Sequence, residues 1–239
     1  MKNVTWSSRF TKQMDAEVLE FSQSLNIDIV LFSSDIKVTI AHVDMLKSCG
    51  HITSAEKKKI IAGLKKVLAL AENGKLEWSI DFEDVHMNIE NALVSIIGDV
   101  GKKIHLGRSR NDLVATDLRL YLRDFIDLYI DQLRDIQFVL ANVAIKHSDS
   151  LFPGFTHMQV AQPVTFGHHL LAWCEMIHRD EIRLINNRES INIMPLGSAA
   201  LSGTSLKLNR TMVATALGFK SISKNSMDAV SDRDFVCDF

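Results

Sequence analysis

Residues 111–147 read NDLVATDLRLYLRDFIDLYIDQLRDIQFVLANVAIKH, without a proline or a glycine. Apolar side chains recur along this stretch in steps of three and four, which places them on one face of a helix. They are Leu118, Leu122, Phe125, Tyr129, Leu133, Ile136, Leu140 and Val143. At 1.5 Å per residue the helix would be roughly 55 Å long, a length typical of an extended bundle. The stretch therefore predicts a mainly helical protein.

Two further long helices are predicted after this stretch. Pro163 is one of only three prolines, and it stands in the favoured first turn of a helix that we expect to reach about Ser190. A third helix is expected from near Thr204 to Gly218, because glycine commonly ends helices. Strand-like alternation is almost absent, so we predict an all-α fold.

Shorter helices are predicted before Gly107, at residues 11–24, 35–49, 54–73 and 83–97. Thr53 and Glu56 have the spacing of a capping box at the start of the third. We therefore expect a small, mostly helical N-terminal domain at residues 1–110. Residues 111–239 are expected to hold the first long helices of an elongated bundle.

The last fifteen residues begin like a helix at Asn225 and end on an apolar run without a glycine or a proline. Natural helices seldom end in this way. We therefore expect that the chain is truncated inside an element whose packing partners lie elsewhere. The alternative is a short C-terminal helix docked on the core.

Composition narrows the classes of function. Hydrophobic residues make up 46% of the chain and the net charge is -2, so there is no basic excess for binding nucleic acid. Neither a signal segment nor a run of about 18 apolar residues occurs, so no membrane partner is expected. Cys49, Cys174 and Cys237 are odd in number and far apart. This pattern favours the reducing cytoplasm and argues against a zinc site.

A polar cluster, GRSRND at residues 107–112, lies directly before the long helix. Arg108, Ser109 and Arg110 beside a helix N-terminus can hold carboxylates through charge-assisted hydrogen bonds, helped by the helix dipole. Asn111 or Asp112 could instead simply cap that helix.

A second cluster, PGFTHMQVAQP, occupies residues 153–163. His157 stands between a turn and an expected helix start, and histidines titrate near neutral pH, which suits proton transfer. Thr156 and Gln162 add neutral hydrogen-bonding groups that could orient a carboxylate. The alternative is a structural histidine.

Two weaker patterns remain. Residues 197–204, GSAALSGT, would let the backbone approach a ligand closely, or would merely form a turn. Residues 83–86, EDVH, offer two carboxylates and the His86 imidazole, or simply an acidic helix N-terminus.

Together these patterns resemble the argininosuccinate lyase family, in the superfamily of fumarase, aspartase and adenylosuccinate lyase. The similarity runs from Trp6 to Phe239, in the family's order and spacing. It is carried by residues 84–86, 107–112, 154–163, 195–204 and 225–235. Residues 107–112 match the family's Gly-Arg-Ser-Arg-Asn-Asp, where fumarases and adenylosuccinate lyases differ.

The resemblance implies a carbon–nitrogen lyase of arginine biosynthesis, which reversibly splits argininosuccinate into arginine and fumarate. It implies no metal and no organic cofactor, and a homotetramer for the full-length protein. By resemblance, the catalytic residues are His157 and Thr156, the substrate-binding residues are Ser24, Ser109, Arg110, Asn111 and Thr156, and His86 and Gln162 are secondary candidates. Whether His157 acts as base or as acid stays open.

The chain also departs from the family pattern. Residues 6–10 read WSSRF where the family often has Trp-Gly-Gly-Arg-Phe, and Ala199 replaces a glycine. Val38 and Thr39 replace a Gly-Ser pair, and Leu106 replaces a threonine. The family's mobile, serine-bearing loop lies beyond Phe239, so we expect an N-terminal half that is inactive alone. The alternatives are a non-catalytic homologue or assembly fragment, and adenylosuccinate lyase or fumarase activity, which residues 108–110 disfavour.

Overall fold

The computed structural model describes residues 15–239 and is mainly helical there, as predicted. None of the helices in this range is both long and apolar enough to cross a membrane. The α-helices are α1 (Ala16–Ser22), α2 (Leu25–Asp28), α3 (Phe32–Ser48), α4 (Ser54–Glu72), α5 (Val85–Ile97), α6 (Arg110–Lys146), α7 (Phe166–Ile191), α8 (Arg210–Ala216), α9 (Ser226–Ser231) and α10 (Asp234–Asp238). The strands are β1 (Leu151–Thr156), β2 (Gln159–Thr165), β3 (Ile193–Met194) and β4 (Ser221–Ile222).

The described chain divides into two compact units. The first contains the residues through Tyr121 together with Ile193–Asp232, and the second contains Leu122–Asn192 and Arg233–Phe239. Helix α6 therefore contributes its start to the first unit and its remainder to the second. This division differs from the predicted domains 1–110 and 111–239, because the chain returns to the first unit after α7. The predicted domain boundary stays a prediction.

The core of the first unit is built by α3, α4 and α5. Their inward-facing side chains are almost completely buried, and each stabilises the unit by about 1.5–3 kcal/mol. Helix α4 begins with the capping box expected from the sequence: Glu56 N donates to Thr53 Oγ1, and Thr53 N donates to Glu56 Oε2 over 2.8 Å. The largest buried members include Ile36, Met45, Leu46, Ile60, Leu64, Ile89 and Leu93.

The predicted helices before the hairpin agree with the structure to within about one turn. Predicted ranges 35–49, 54–73 and 83–97 correspond to α3, α4 and α5, and the long helix begins at Arg110 and ends at Lys146. Predicted range 11–24 contains α1, although residues 11–14 lie outside the described residues. The departure from the family at residues 6–10 also lies outside them.

An antiparallel hairpin, β1 and β2, occupies the position where the second long helix was expected to begin. Pro163 lies in β2 opposite Pro153, and α7 begins only at Phe166, where Thr165 Oγ1 accepts a hydrogen bond from His168 N. The predicted helix start was therefore wrong, and the hairpin adds two strands to a fold that is otherwise mainly helical. Most side chains of the hairpin are exposed, so the sequence lacks the alternation of a half-buried strand.

The region of the third predicted helix contains only α8. Asn209 caps it, because Asn209 Oδ1 accepts a hydrogen bond from Met212 N over 3.0 Å. The predicted start near Thr204 was wrong, since residues up to Asn209 form turns and loops. The predicted end was correct: Gly218 follows the helix with a φ of 71°. Beyond it, β4 pairs in parallel with β3.

The C-terminal residues form two short helices. Asn225 caps α9 as expected, accepting from Met227 N over 2.9 Å. In α10, Phe235 is 2% exposed, and its carbonyl oxygen accepts a hydrogen bond from Asn187 Nδ2 of α7 over 3.0 Å. The last residues therefore form a short helix that packs against α7.

Candidate active site

The start of α6 holds three of the predicted substrate-binding residues. Ser109 precedes the helix, and its Oγ accepts a hydrogen bond from Asn111 N over 3.4 Å. Asp112 Oδ1 in turn accepts from Ser109 N over 2.8 Å. The two residues therefore cap the helix reciprocally. This arrangement leaves the Asn111 side chain free to bind elsewhere, and its Nδ2 donates to the Ala200 carbonyl oxygen over 2.9 Å.

Arg110 forms an ion pair with Asp84 at the start of α5. Its Nη1 lies 2.9 Å from Asp84 Oδ1, an atom that also accepts a hydrogen bond from Met87 N over 2.7 Å. Burial raises the pKa of Asp84, and the Arg110 charge opposes that rise. The Arg110 side chain is 27% exposed, so its guanidinium remains partly accessible to an anion.

Ser24 is connected to the start of α5 through Asp28. Its Oγ donates to Asp28 Oδ2 over 2.6 Å, and Asp28 Oδ1 accepts from Val85 N over 3.1 Å. Sequence reasoning missed Asp28, whose one signal is its position four residues after Ser24 within a helical region. Ser24 and Arg110 are thus both connected to the first turn of α5.

Arg108 differs from the sequence expectation that it holds a ligand. It is 7% exposed, and its Nη1 donates to Thr39 Oγ1 over 2.9 Å. Burial lowers the pKa of Arg108, while the buried carboxylates of Asp35 and Asp117 oppose that effect. Arg108 is therefore an internal counter-ion, and Arg110 is the arginine of this segment that an external carboxylate can reach.

His86 belongs to this buried cluster as well. Its Nδ1 lies 2.6 Å from Asp35 Oδ2 and 3.3 Å from Asp117 Oδ2, and its side chain is 2% exposed. Burial alone would raise the pKa of Asp35, but the hydrogen bond from His86 lowers it. Burial, and then the Asp35 charge, raises the pKa of Asp117 well above its usual value. His86, which was predicted as a secondary site residue, is therefore a buried side chain that contacts Asp35 and Asp117.

Asp35, His86 and Asp117 are the described residues whose arrangement could hold a metal ion, with ligand atoms within 4.8 Å of one another. Two observations favour an ion-pair network instead. Asp35 already accepts a hydrogen bond from His86, and the positive charge of Arg108 acts on both carboxylates. Arg108 thus supplies a compensating positive charge from within the protein.

Thr156 and His157 lie at the tip of the hairpin in the second unit. Thr156 pairs with Gln159, so His157 and Met158 form a two-residue loop, with φ values of 50° and 58°. Positive φ at both positions is the geometry of a type I′ turn, which favours asparagine and glycine. Both residues are exposed, and such unfavourable backbone conformations concentrate at functional sites. Nothing in the local sequence signals this turn.

The predicted site residues are thus shared between the two units. The first unit brings Ser24, His86, Ser109, Arg110 and Asn111 to the starts of α5 and α6, while the second holds Thr156, His157 and Gln162. Gln162 is exposed on β2, two residues before Val164, which pairs with Phe152 of β1. The Phe152 ring contacts the His169 ring of α7. Apart from Gln162, these residues lie in loops or at the ends of elements, the usual location of binding and catalytic residues.

Known proteins share this chain's sequence along nearly its whole length. The sequence profile of the protein family described as Lyase matches residues 8–239. Argininosuccinate lyase from Ruthia magnifica is 50% identical over 237 residues, which is 99% of this chain and 49% of that protein. Argininosuccinate lyase from Acinetobacter baumannii is 53% identical over 98% of this chain and 49% of that protein. The chain spans about half the length of the curated relatives it matches.

A solved structure shares the fold. The crystal structure of EDDS lyase in complex with formate superposes with a TM-score of 0.79 at 32% identity. The match covers 92% of this chain and 43% of the EDDS lyase chain.

Proposed function

Because the chain belongs to this lyase family, we propose that it supplies part of an argininosuccinate lyase. The proposed reaction is the reversible elimination of argininosuccinate to arginine and fumarate, a carbon–nitrogen lyase step of arginine biosynthesis. The identity of 50–53% to two argininosuccinate lyases, against 32% to EDDS lyase, supports argininosuccinate over the substrate of EDDS lyase. A cytoplasmic location is part of the proposal, in keeping with three free cysteines.

The observation that carries the proposal is the accessible Arg110 and Asn111 pair at the start of α6. A partly exposed guanidinium beside a helix N-terminus suits a carboxylate of the substrate. The difficult step of the elimination removes a weakly acidic proton beside a carboxylate, which gains charge in the transition state. Preorganised donors at that carboxylate lower the barrier most, so we propose that Ser109, Arg110 and Asn111 bind it.

His157 is the proposed proton-transfer residue, acting as the base or as the acid that assists the leaving guanidinium. Its exposed position at a strained turn supports this role, since a structural histidine would be packed or hydrogen-bonded. Thr156 is proposed to bind the fumarate-side carboxylate beside it, and Ser24, Gln162 and His86 to support the site. No metal or organic cofactor is required by this chemistry, because acid, base and carboxylate donors are all side chains.

A homotetramer is proposed for the full-length protein. Large apolar side chains on α6 and α7 are exposed, among them Phe138 at 71% and Trp173 at 54%. Apolar surface of this kind marks protein–protein contacts. Copies of the chain could therefore supply one another with site residues.

The test is an assay of the protein encoded by the complete reading frame. With argininosuccinate, we expect fumarate and arginine in equal amounts at about 1–10³ per second, and no turnover of adenylosuccinate. The 239-residue chain alone is expected to show no turnover. A folded complete protein that releases no fumarate from argininosuccinate would contradict the proposal and favour a non-catalytic homologue.

A further inference from the structure

The Asp112 carboxylate connects two segments that are distant in the sequence. Its Oδ1 accepts a hydrogen bond from Ser109 N, and its Oδ2 accepts from Gly197 N and Ala199 N, each over 2.8 Å. Asp112 is 0% exposed. Burial raises its pKa, but the three backbone donors oppose that rise and favour the charged form. A fully buried carboxylate thus fastens the start of α6 to the turn at residues 197–200.

The turn at residues 197–200 has an unfavourable backbone conformation that this carboxylate helps to hold. Ala199 has a φ of 53°, in the left-handed region that favours glycine, and Gly197 has a φ of 90°. A non-glycine residue persists there only where its surroundings hold it. The Ala199 N–H points to Asp112 Oδ2, which supplies that restraint.

The same turn holds the side chain of Asn111. The Ala200 carbonyl oxygen accepts a hydrogen bond from Asn111 Nδ2 over 2.9 Å. This contact orients the amide plane, because only the nitrogen side of the amide can donate. The second Nδ2–H, which is the group that can donate to a carboxylate, is therefore directed by a carbonyl oxygen that lies one residue after Ala199 in the same turn.

We propose that Asp112 is a positioning residue of the substrate site, acting on the Asn111 amide through the turn at residues 197–200. The inference rests on the proposed function, in which Asn111 binds a substrate carboxylate. Asp112 itself is sealed from substrate, so its effect must pass through Asn111. Sequence reasoning assigned Asp112 only a helix-capping role.

Arg210 also supports this part of the chain, through contacts that differ from those of Asp112. Its Nε donates to the Leu196 carbonyl oxygen over 2.8 Å, and its Nη2 donates to Ser223 Oγ over 2.8 Å. Neither contact reaches Ala199 or Ala200. A longer contact, from Nη2 to Ser198 Oγ over 3.5 Å, reaches the turn itself. Loss of Arg210 should therefore loosen residues 194–198 and leave the Asn111 amide bonded to Ala200.

The first experiment measures amide hydrogen exchange by NMR in the 239-residue chain with Asp112→Asn. We expect the Gly197 and Ala199 amides to exchange at least about tenfold faster, since their shared acceptor is no longer charged and charged acceptors make the stronger hydrogen bonds. The Asn111 side-chain resonances should shift as well. The matched control is Thr116→Val, a buried residue of the same helix that loses only its bond to the Asp112 carbonyl oxygen. Unchanged exchange in Asp112→Asn, or equal acceleration in Thr116→Val, would overturn the proposal.

The second experiment is a double-mutant cycle in the complete enzyme. Asp112→Asn should raise KM for argininosuccinate about tenfold, and Asn111→Ala should raise it at least as much. If Asp112 acts through Asn111, the double variant has the KM of Asn111→Ala alone. Multiplicative effects would mean an independent structural role and overturn the inference. If the unaltered complete protein produces no fumarate, the proposed function fails, and the exchange experiment alone decides whether Asp112 positions Asn111.

Discussion

Nη1 of Arg110 lies 2.9 Å from Oδ1 of Asp84, so the accessible arginine of the α6 start is held by the capping carboxylate of α5. The pair connects two segments that match the family pattern independently of each other. Both side chains are partly exposed, and so solvent screens their attraction.

We expect Asp84→Asn to separate the ion pair from the helix cap. Asparagine caps a helix about as well as aspartate, so the Met87 contact should persist while the charge on Arg110 loses its partner. The free energy of unfolding in urea should fall by at most about 1 kcal/mol, and this difference should vanish at high salt. Asp84→Ala, which removes cap and charge, should lose about 1 kcal/mol more at every salt concentration. A salt-independent loss in Asp84→Asn would contradict this division.

His42 should make stability depend on pH. Burial, and then the Arg108 charge, lowers the pKa of His42 to about 3, and its Nε2–H donates to the Leu106 carbonyl oxygen over 2.8 Å. The unfolded chain binds a proton near the ordinary value of 6.5 while the folded chain does not. The stabilisation is therefore complete above pH 6.5 and is lost as the pH falls towards 3, by about 1.4 kcal/mol per pH unit.

The measurement is the free energy of unfolding in urea at pH 7 and pH 5. The His42→Gln side chain can still donate to the Leu106 carbonyl oxygen but does not titrate. Between pH 7 and pH 5 the free energy of unfolding of this variant should therefore fall by about 2 kcal/mol less than that of the unaltered chain. Equal losses in both proteins would mean that His42 is already protonated in the fold.

Ala199→Gly should stabilise the chain. The left-handed φ of 53° strains an alanine by about 1–2 kcal/mol, and glycine is free of that strain, although it loses more entropy on folding. We expect a net gain of up to about 1 kcal/mol in urea unfolding. Ala200→Gly, at the neighbouring position without a positive φ, is the control and should destabilise. A loss in both variants would contradict the strain.

His157→Asn in the complete enzyme should lower kcat by at least about 10²-fold, because proton transfer contributes that much. The fold should be unaffected, since the side chain is exposed at the hairpin tip. The comparison is His168→Asn, an exposed histidine near the start of α7, which should leave kcat unchanged. Equal kcat values for the two variants would remove His157 from the mechanism.

The sequence by itself determined the elements that repeat a local rule. Helix α6 followed from apolar residues in steps of three and four, and the start of α4 followed from Thr53 and Glu56. Such signals survive because each helical turn depends mainly on its own neighbours. The carboxylate-binding role of residues 107–112 stays a prediction, although the sequence placed these residues correctly at the start of α6.

Only the tertiary structure distinguished Arg108 from Arg110. The two arginines stand two residues apart in one motif, yet one is buried against Asp35 and Asp117 and the other remains accessible beside Asp84. The tertiary structure also showed the hairpin with His157 at its tip. It further showed that the buried Asp112 carboxylate accepts hydrogen bonds from the turn at residues 197–200. These features depend on contacts between residues far apart in the chain. The cost of burying a charge is set by whatever surrounds it in three dimensions, and local sequence does not contain that information.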